Sequence, residues 1–205
     1  PISAAKHYAE KLRDAAKHEA ATIELFGLFA SRGFPRGAVK SCVRAWGERA
    51  PEVVRRDPFK MLVAEIPGVG FKRADALYID LGGNPRRIRR QMFAAWHWLR
   101  TCADGNTWEP LPKVAAAIIT AIGNAADYEK AIRLGVRAKW LAEKSLDSGG
   151  TPEVHLAERE NAANEAAIAS HAKRIAKQRA RWPKESELDP ALSEHQRAKL
   201  ATILD

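Results

Sequence analysis

The sequence predicts a mainly α-helical protein with one small strand hairpin, and three observations predict it. Apolar residues recur at i, i+3, i+4 and i+7 through most of the chain, prolines and glycines fall where helices would start and stop, and one Glu153-Val-His-Leu156 run after a Gly-Gly pair breaks the helical pattern. In order, an Ala-rich helix over about 4–31 carries Ile23, Phe26 and Phe29 near its end and closes at Gly33, and a second spans about 36–47 and stops at Gly47. Asp57-Pro58, Asn84-Pro85 and Leu111-Pro112 then mark starts, because proline suits the first helical position and a preceding Asp or Asn can cap free N–H groups. These pairs predict helices over about 58–65, 85–104 and 112–122. The helix 71–81 buries Ala74, Leu77, Tyr78 and Leu81, and the next buries Ile88, Met92, Ala95, Trp96 and Leu99; Trp98 is left undecided between core and surface. After the turn signal Asp104-Gly-Asn106 comes an Ala/Ile helix, a longer helix over about 127–146, a turn at 147–152 and the strand 153–156. Two helices and a Gly-tipped hairpin suit a small winged-helix-like module. A polar helix over about 157–180, a linker at 182–190 and a last helix capped by Ser193 complete the reading. The expected domains are 1–105, 106–156 and 157–205.

Composition narrows the function classes. The 205 residues are 46% hydrophobic and 29% charged, ordinary for a globular protein and enough to bury a core as one large domain or two small ones. No apolar run approaches the roughly 18 residues of a membrane span, and no signal-peptide pattern opens the chain. With only Cys42 and Cys102, a multi-disulfide scaffold and a four-cysteine metal or iron–sulfur site are excluded, and two reduced thiols in a cytoplasmic protein is the expectation. Opening at Pro1 and stopping at Asp205 in a helical pattern, the sequence reads as a fragment. The net charge of +9 is uneven: residues 1–105 hold 19 Lys+Arg against 11 Asp+Glu, and the rest 15 against 14. That asymmetry points to a polyanion-binding N-terminal half. Its densest run is Arg86, Arg87, Arg89 and Arg90, with Arg55, Arg56, Lys72 and Arg73 nearby.

These cations bracket Glu65-Ile-Pro-Gly-Val-Gly-Phe-Lys-Arg-Ala74, a helix, a tight Pro-Gly-Val-Gly turn and a second helix, the form of a helix-hairpin-helix element. Gly68 and Gly70 allow turn geometry and close approach of backbone to a ligand, with Val69 between them. The amides opening the helix at Phe71 have no intrahelical partner and can receive a phosphate oxygen with the helix dipole behind them. Lys72 and Arg73 sit in that first turn. Contacts of this kind read no bases, so binding should be sequence-independent and salt-dependent. The competing reading is a hairpin that only joins two packed helices, and Ile66 and Val69 are core residues in either case. The expected DNA-binding set is Gly68, Val69, Gly70, Phe71, Lys72, Arg73, Arg86, Arg87 and Arg90.

The runs Gly33-Phe-Pro-Arg-Gly-Ala-Val39, Trp46-Gly-Glu-Arg-Ala-Pro-Glu-Val-Val-Arg-Arg-Asp-Pro-Phe59 and Ile66-Pro-Gly-Val-Gly-Phe-Lys-Arg-Ala-Asp75 resemble the N-terminal region of RecD-like DNA helicases. Asn84-Pro-Arg-Arg-Ile88, Gly105-Asn-Thr-Trp-Glu-Pro-Leu-Pro112 and Val154-His-Leu-Ala-Glu158 follow in that family's order. Leu192-Ser-Glu-His-Gln-Arg-Ala198 resembles the segment before the family's ATP-binding loop, where the resemblance implies that Gln196 contacts adenine. It further implies a superfamily 1 helicase moving 5′ to 3′ on DNA with ATP and magnesium, acting in DNA repair or recombination, and cut here before the phosphate loop. No Gly-x-x-x-x-Gly-Lys-Ser/Thr and no Gly-Lys pair occurs, so this chain carries no triphosphate cradle and no cofactor of its own is expected.

The leading expectation is a cytoplasmic, non-catalytic accessory domain that holds DNA and adjoins motor domains in cis. The alternative is a protein-interaction platform that packs on the motor or a partner. A base-excision enzyme is disfavoured: DNA glycosylases, which use similar hairpins, follow them with a catalytic Asp, and no acidic residue lies between Asp80 and Asp104. The six histidines are scattered, none at metal-binding spacing with cysteine, and His97 beside Trp96 and Trp98 reads as a helix-face residue. No catalytic motif is found.

Overall fold

Proline and glycine set many element boundaries in the computed structural model, which describes residues 2–102, 105–123, 126–148 and 151–177. The helices α1 Ile2–Phe29, α2 Arg36–Trp46, α3 Ala50–Arg56, α4 Lys60–Val63, α5 Phe71–Asp80 and α6 Ile88–Thr101 are followed by the two-residue strand β1 Glu109–Pro110. Then come α7 Leu111–Ile122, α8 Tyr128–Arg137, β2 Leu141–Ser148, β3 Thr151–Glu158 and α9 Arg159–Lys177. The strands form one antiparallel sheet in the order β1-β3-β2. The protein is therefore mainly helical, with a helix-hairpin-helix part followed by a small α+β module. Two compact units are distinguished, Pro1–Ala163 and Asn164–Asp205. The boundary expected near 105 lies inside the first of them, where one buried cluster runs from Leu25 through Met92 and Phe93 to Leu156. The linker at 182–190, the helix from Ser193 and Gln196 lie outside the described residues.

Helix α6 organises the first unit. Arg90, Gln91, Met92, Phe93, Ala94, Ala95, Trp96 and Leu99 are all buried, so it is covered on nearly every side rather than along one stripe. It packs against α5, α7, α8 and β3. Phe93 stands 5.3 Å from Phe59, 6.0 Å from Trp96 and 5.4 Å from Trp140, ring centre to ring centre, and Trp96 and Trp140 meet edge-on at 5.5 Å. Trp98 is half-buried, with the Lys113 ammonium 5.8 Å from its ring centre. Cys42 and Cys102 are free, and burial pushes the Cys42 thiol up to about 12, which keeps it protonated and inert.

The polar groups buried with α6 are fully engaged. Arg90 forms a two-pronged ion pair with Asp75 of α5, Nε to Oδ1 at 2.5 Å and Nη2 to Oδ2 at 2.7 Å, and its Nη1 donates to the Pro85 carbonyl at 2.6 Å. Gln91 accepts from the Asp127 amide at 2.7 Å and donates to the Arg86 carbonyl at 3.2 Å. One bond reaches the start of α8 and the other the loop before α6.

Several sequence expectations are corrected. Residues 141–146, read as helix, form β2; α8 ends at Arg137 and Lys139 turns the chain with φ of 61°. Leu-Ala-Glu-Lys has good helix propensity, but pairing of Leu141 with Glu158 through Ser148 with Thr151 overrides it and seats Leu141 and Leu156 in the core. The helix α3 was not foreseen, because Pro51 near its start and Asp57-Pro58 after it leave room for only seven residues. Asp57 does not cap α4; it lies at the carboxyl end of α3, and its carboxylate takes Arg89 Nη2 at 2.7 Å. Asn84 Oδ1 accepts from the Arg86 amide, so residues 84–87 make a turn and α6 starts at Ile88 rather than 85. Leu81 is 39% exposed because α5 has already ended, and Ile23 and Phe26 are exposed while Phe29 is buried.

Because Arg90 is only 7% exposed and its pair is desolvated, deleting one partner leaves a buried charge. Asp75→Ala should lower unfolding free energy by about 3–5 kcal/mol in urea titration. Lys72→Ala, at an exposed position, should change it by no more than about 0.5 kcal/mol. Equal effects would show that the Arg90–Asp75 pair is not what joins α5 to α6.

Candidate nucleic-acid interface

The hairpin is a tight turn held from four sides. Val69 N–H donates to the Ile66 carbonyl at 3.0 Å across Pro67 and Gly68, with proline second and a positive-φ glycine third, as a type II turn requires. Ile66 and Val69 are buried and anchor the turn, while Pro67 and Gly68 face solvent. Gly68 has φ of 73°, and a β-carbon there would fall 2.6 Å from Pro35 Cγ, so both its backbone and its surroundings demand glycine. Gly70 differs: its φ of −94° and ψ of 175° suit any residue, and a β-carbon would meet His97 Nε2 at an ordinary 3.6 Å. The expectation that both glycines serve turn geometry holds for Gly68 alone.

Three separated pieces of the chain meet at this turn. Arg73 Nε donates to the Gly33 carbonyl and its Nη1 to the Gly68 carbonyl, each at 2.7 Å. Phe34 stacks on Phe29 at 4.2 Å and positions Pro35 beside Gly68. Glu65, at φ of 50°, forms an ion pair with Arg100 of α6. His97, one turn before Arg100, accepts the Phe71 amide on Nε2 at 3.3 Å. Burial and then the Arg100 charge hold the His97 pKa below its ordinary 6.5, so the ring stays neutral and able to accept.

These bonds sort the expected DNA-binding residues. Lys72 is exposed, and its side chain and N–H have no hydrogen-bond partner among the described residues; the same is true of the Gly68 and Gly70 amides. The Phe71 amide, expected to be open to phosphate, is capped by His97, and the Phe71 and Val69 side chains are core. Arg73 is exposed but braces the turn. Arg90 is removed from the set altogether, since its guanidinium is buried against Asp75 and Pro85. Arg86 and Arg87 are exposed at the far end of α5, a ten-residue helix about 15 Å long, so they form a second basic group rather than part of the hairpin.

Sequence reasoning missed the His97 cap and the Asp75 partner. The signal for both was the unbroken apolar run Met92–Trp96, which announces a helix buried all round, so that residues off its main stripe also have tertiary neighbours. Among the described residues no cluster of three or more His, Cys, Asp or Glu side chains could hold a metal ion, and no helix is long and apolar enough to cross a membrane.

Gly70→Ala should fold as the wild type does, whereas Gly68→Ala should lose more than about 1 kcal/mol through strain and the Pro35 clash; urea titration of both separates the two roles. The His97 pKa, lowered in the fold, supplies stability that is complete above about 6.5 and lost as pH falls from there through the folded value. Melting at about pH 7.5 and about pH 5.5 should therefore show a larger acid loss in the wild type than in His97→Phe, which keeps bulk but not the acceptor. Equal losses would place the titration elsewhere.

Compared with known families, residues 18–108 match the model described as the ATP-dependent RecD2 DNA helicase HHH domain. No curated protein matches the chain.

Proposed function

We propose that the chain, whose residues 18–108 match the RecD2 helicase HHH domain, is a helicase accessory region that holds DNA by its phosphate backbone through the Gly68–Lys72 turn. The observation that carries this reading is the rigid hairpin. Among the described residues its Gly68, Gly70 and Lys72 amides have no acceptor and the Lys72 side chain has no partner, and no acidic residue lies in the first turn of α5. Unbonded amides and a cation at a helix amino end suit a phosphate oxygen and do not discriminate bases.

Arg73 and His97 are positioning residues here: one braces the turn against the α1–α2 connection, the other orients the start of α5. Motor domains in cis, ATP and magnesium, 5′-to-3′ movement, adenine contact by Gln196, and a role in repair or recombination in the cytoplasm follow from the family resemblance and belong to this proposal. No triphosphate loop occurs in the sequence, so turnover would fall to those motor domains.

A second reading, a platform for the motor or a partner protein, is favoured by α1. Tyr8, Leu12, Ile23 and Phe26 are 53–71% exposed and, at about 100° per residue, share one side of that helix.

Anisotropy titration of labelled single-stranded and duplex DNA over about 50–200 mM salt distinguishes the two. The hairpin reading expects a linear log–log salt dependence, little sequence preference, and for Lys72→Ala a slope reduced by about one with affinity lowered roughly five- to tenfold near 0.1 M salt. Absence of a salt slope, or an unaltered Lys72→Ala, overturns it in favour of the platform.

A further inference from the structure

A concentration of unpaired positive charge among the described residues lies away from the hairpin. A cleft of about 510 Å³ opens between the end of α3, the start of α4, the far end of α5 and the start of α6. Arg56, Lys60, Arg87 and Arg89 line it, over a floor of Phe59 and Tyr78 whose rings meet at 5.2 Å. Its one acidic lining residue, Asp57, is held by Arg89. Arg56, Lys60 and Arg87 are exposed and have no ion-pair or hydrogen-bond partner for their side chains among the described residues. Three uncompensated cations therefore face one concave space.

Two further features show that this charge is placed against the fold's own interest. Arg87 is the residue preceding α6, and the first turn holds Arg89 and Arg90 but no acid of its own, although a helix amino end favours negative charge; Asp57 and Asp75 answer Arg89 and Arg90 and leave Arg87. The backbone, meanwhile, is firmly set. Asn84 Oδ1 holds the Arg86 amide, Tyr78 Oη donates to the Asn84 carbonyl at 3.3 Å, and Arg90 ties Pro85 to Asp75, so the loop that presents Arg87 is preorganised. Local rules broken on a rigid support mark a site whose missing partner is a ligand. A polyanion would relieve the helix-end conflict and the mutual repulsion of the cations together.

The geometry points to a second phosphate-binding site in this cleft, separate from the hairpin turn, in which Arg56, Lys60 and Arg87 take the phosphodiester backbone of DNA. It rests on the nucleic-acid reading above and extends it. Two anchor points about 15 Å apart, one at each end of α5, fix the line a strand takes across the domain, which one turn cannot do. Neither anchor reads bases, so the cleft adds affinity and orientation without sequence preference.

The test uses the whole chain and the labelled DNA described above, with four variants. Arg56→Ala/Lys60→Ala/Arg87→Ala should reduce the salt slope by about two to three and lower affinity more than about tenfold near 0.1 M salt, with melting temperature unchanged because the three are exposed and unpaired. Lys6→Ala/Lys11→Ala/Arg13→Ala, which removes the same charge from α1, should leave both quantities near wild type. Lys72→Ala and the four-residue combination complete the set, and their losses should add. A silent cleft triple beside a weakened Lys72→Ala overturns the cleft and spares the hairpin, whereas an unaltered Lys72→Ala beside a weakened triple removes the hairpin and spares the cleft. An α1 triple as weak as the cleft triple reduces the effect to net charge and overturns the cleft. So does displacement of DNA by inorganic phosphate too dilute to change ionic strength, which would assign the cleft to a free anion.

Discussion

Helix α6 is the part on which the rest of the first unit depends, because its burial on nearly all sides leaves it no freedom to shift. Met92, Phe93, Trp96 and Leu99 carry the apolar core, and the same fourteen-residue helix fixes polar groups in three directions. Arg90 grips Asp75 of α5, Gln91 grips the start of α8, and His97 takes the first amide of α5. A buried ion pair of this geometry adds little net stability over an apolar pair of the same shape, but breaking one side is costly. Its value here is registry: α5 can sit at only one height along α6, and the hairpin at the head of α5 is placed with it.

Once α5 is placed, the interface follows from what remains unsatisfied. Arg73, Arg90, Arg89 and Arg100 all find acceptors within the fold, so four of the basic residues around the motif are structural. Lys72, Arg86, Arg87, Arg56 and Lys60 find none for their side chains among the described residues. The helix dipole sharpens the division, since cations at the amino ends of α5 and α6 cost roughly what an acid there would contribute, about 0.3–1 kcal/mol each at an exposed site. Dense positive charge in sequence thus splits into bracing and free charge, and only the free part bears on an anion.

The motif itself was legible residue by residue. Ile66-Pro-Gly-Val69 specifies its turn through proline and a positive-φ glycine, and the alternation of Ala74, Leu77 and Tyr78 specifies which face of α5 is buried. The fragments that resemble a RecD-like helicase also have a physical reason to be kept together. The Gly33 carbonyl takes Arg73, Pro35 packs on Gly68, Asp57 holds Arg89, and Asn84 sets the start of α6. What reads as scattered short similarities is one contact network around the hairpin. Less legible was the strand β2: Leu141–Leu146 has helical propensity, and its strand state comes from pairing with β3 across the hairpin, Leu141 with Glu158 through Leu146 with Glu153.

The sequence by itself determined the helical class, the hairpin turn, the buried stripes of α5 and α6 and the excess of positive charge in residues 1–105, because periodicity, turn chemistry and composition are local properties of the chain. Only the tertiary structure decided which cations are free. Arg90 and Arg87 are three residues apart and alike in sequence, and both line the cleft, yet one is buried against Asp75 and the other is exposed with no side-chain partner among the described residues. That outcome depends on where α5 and α3 lie beside α6, a long-range relation that neither residue's neighbours encode.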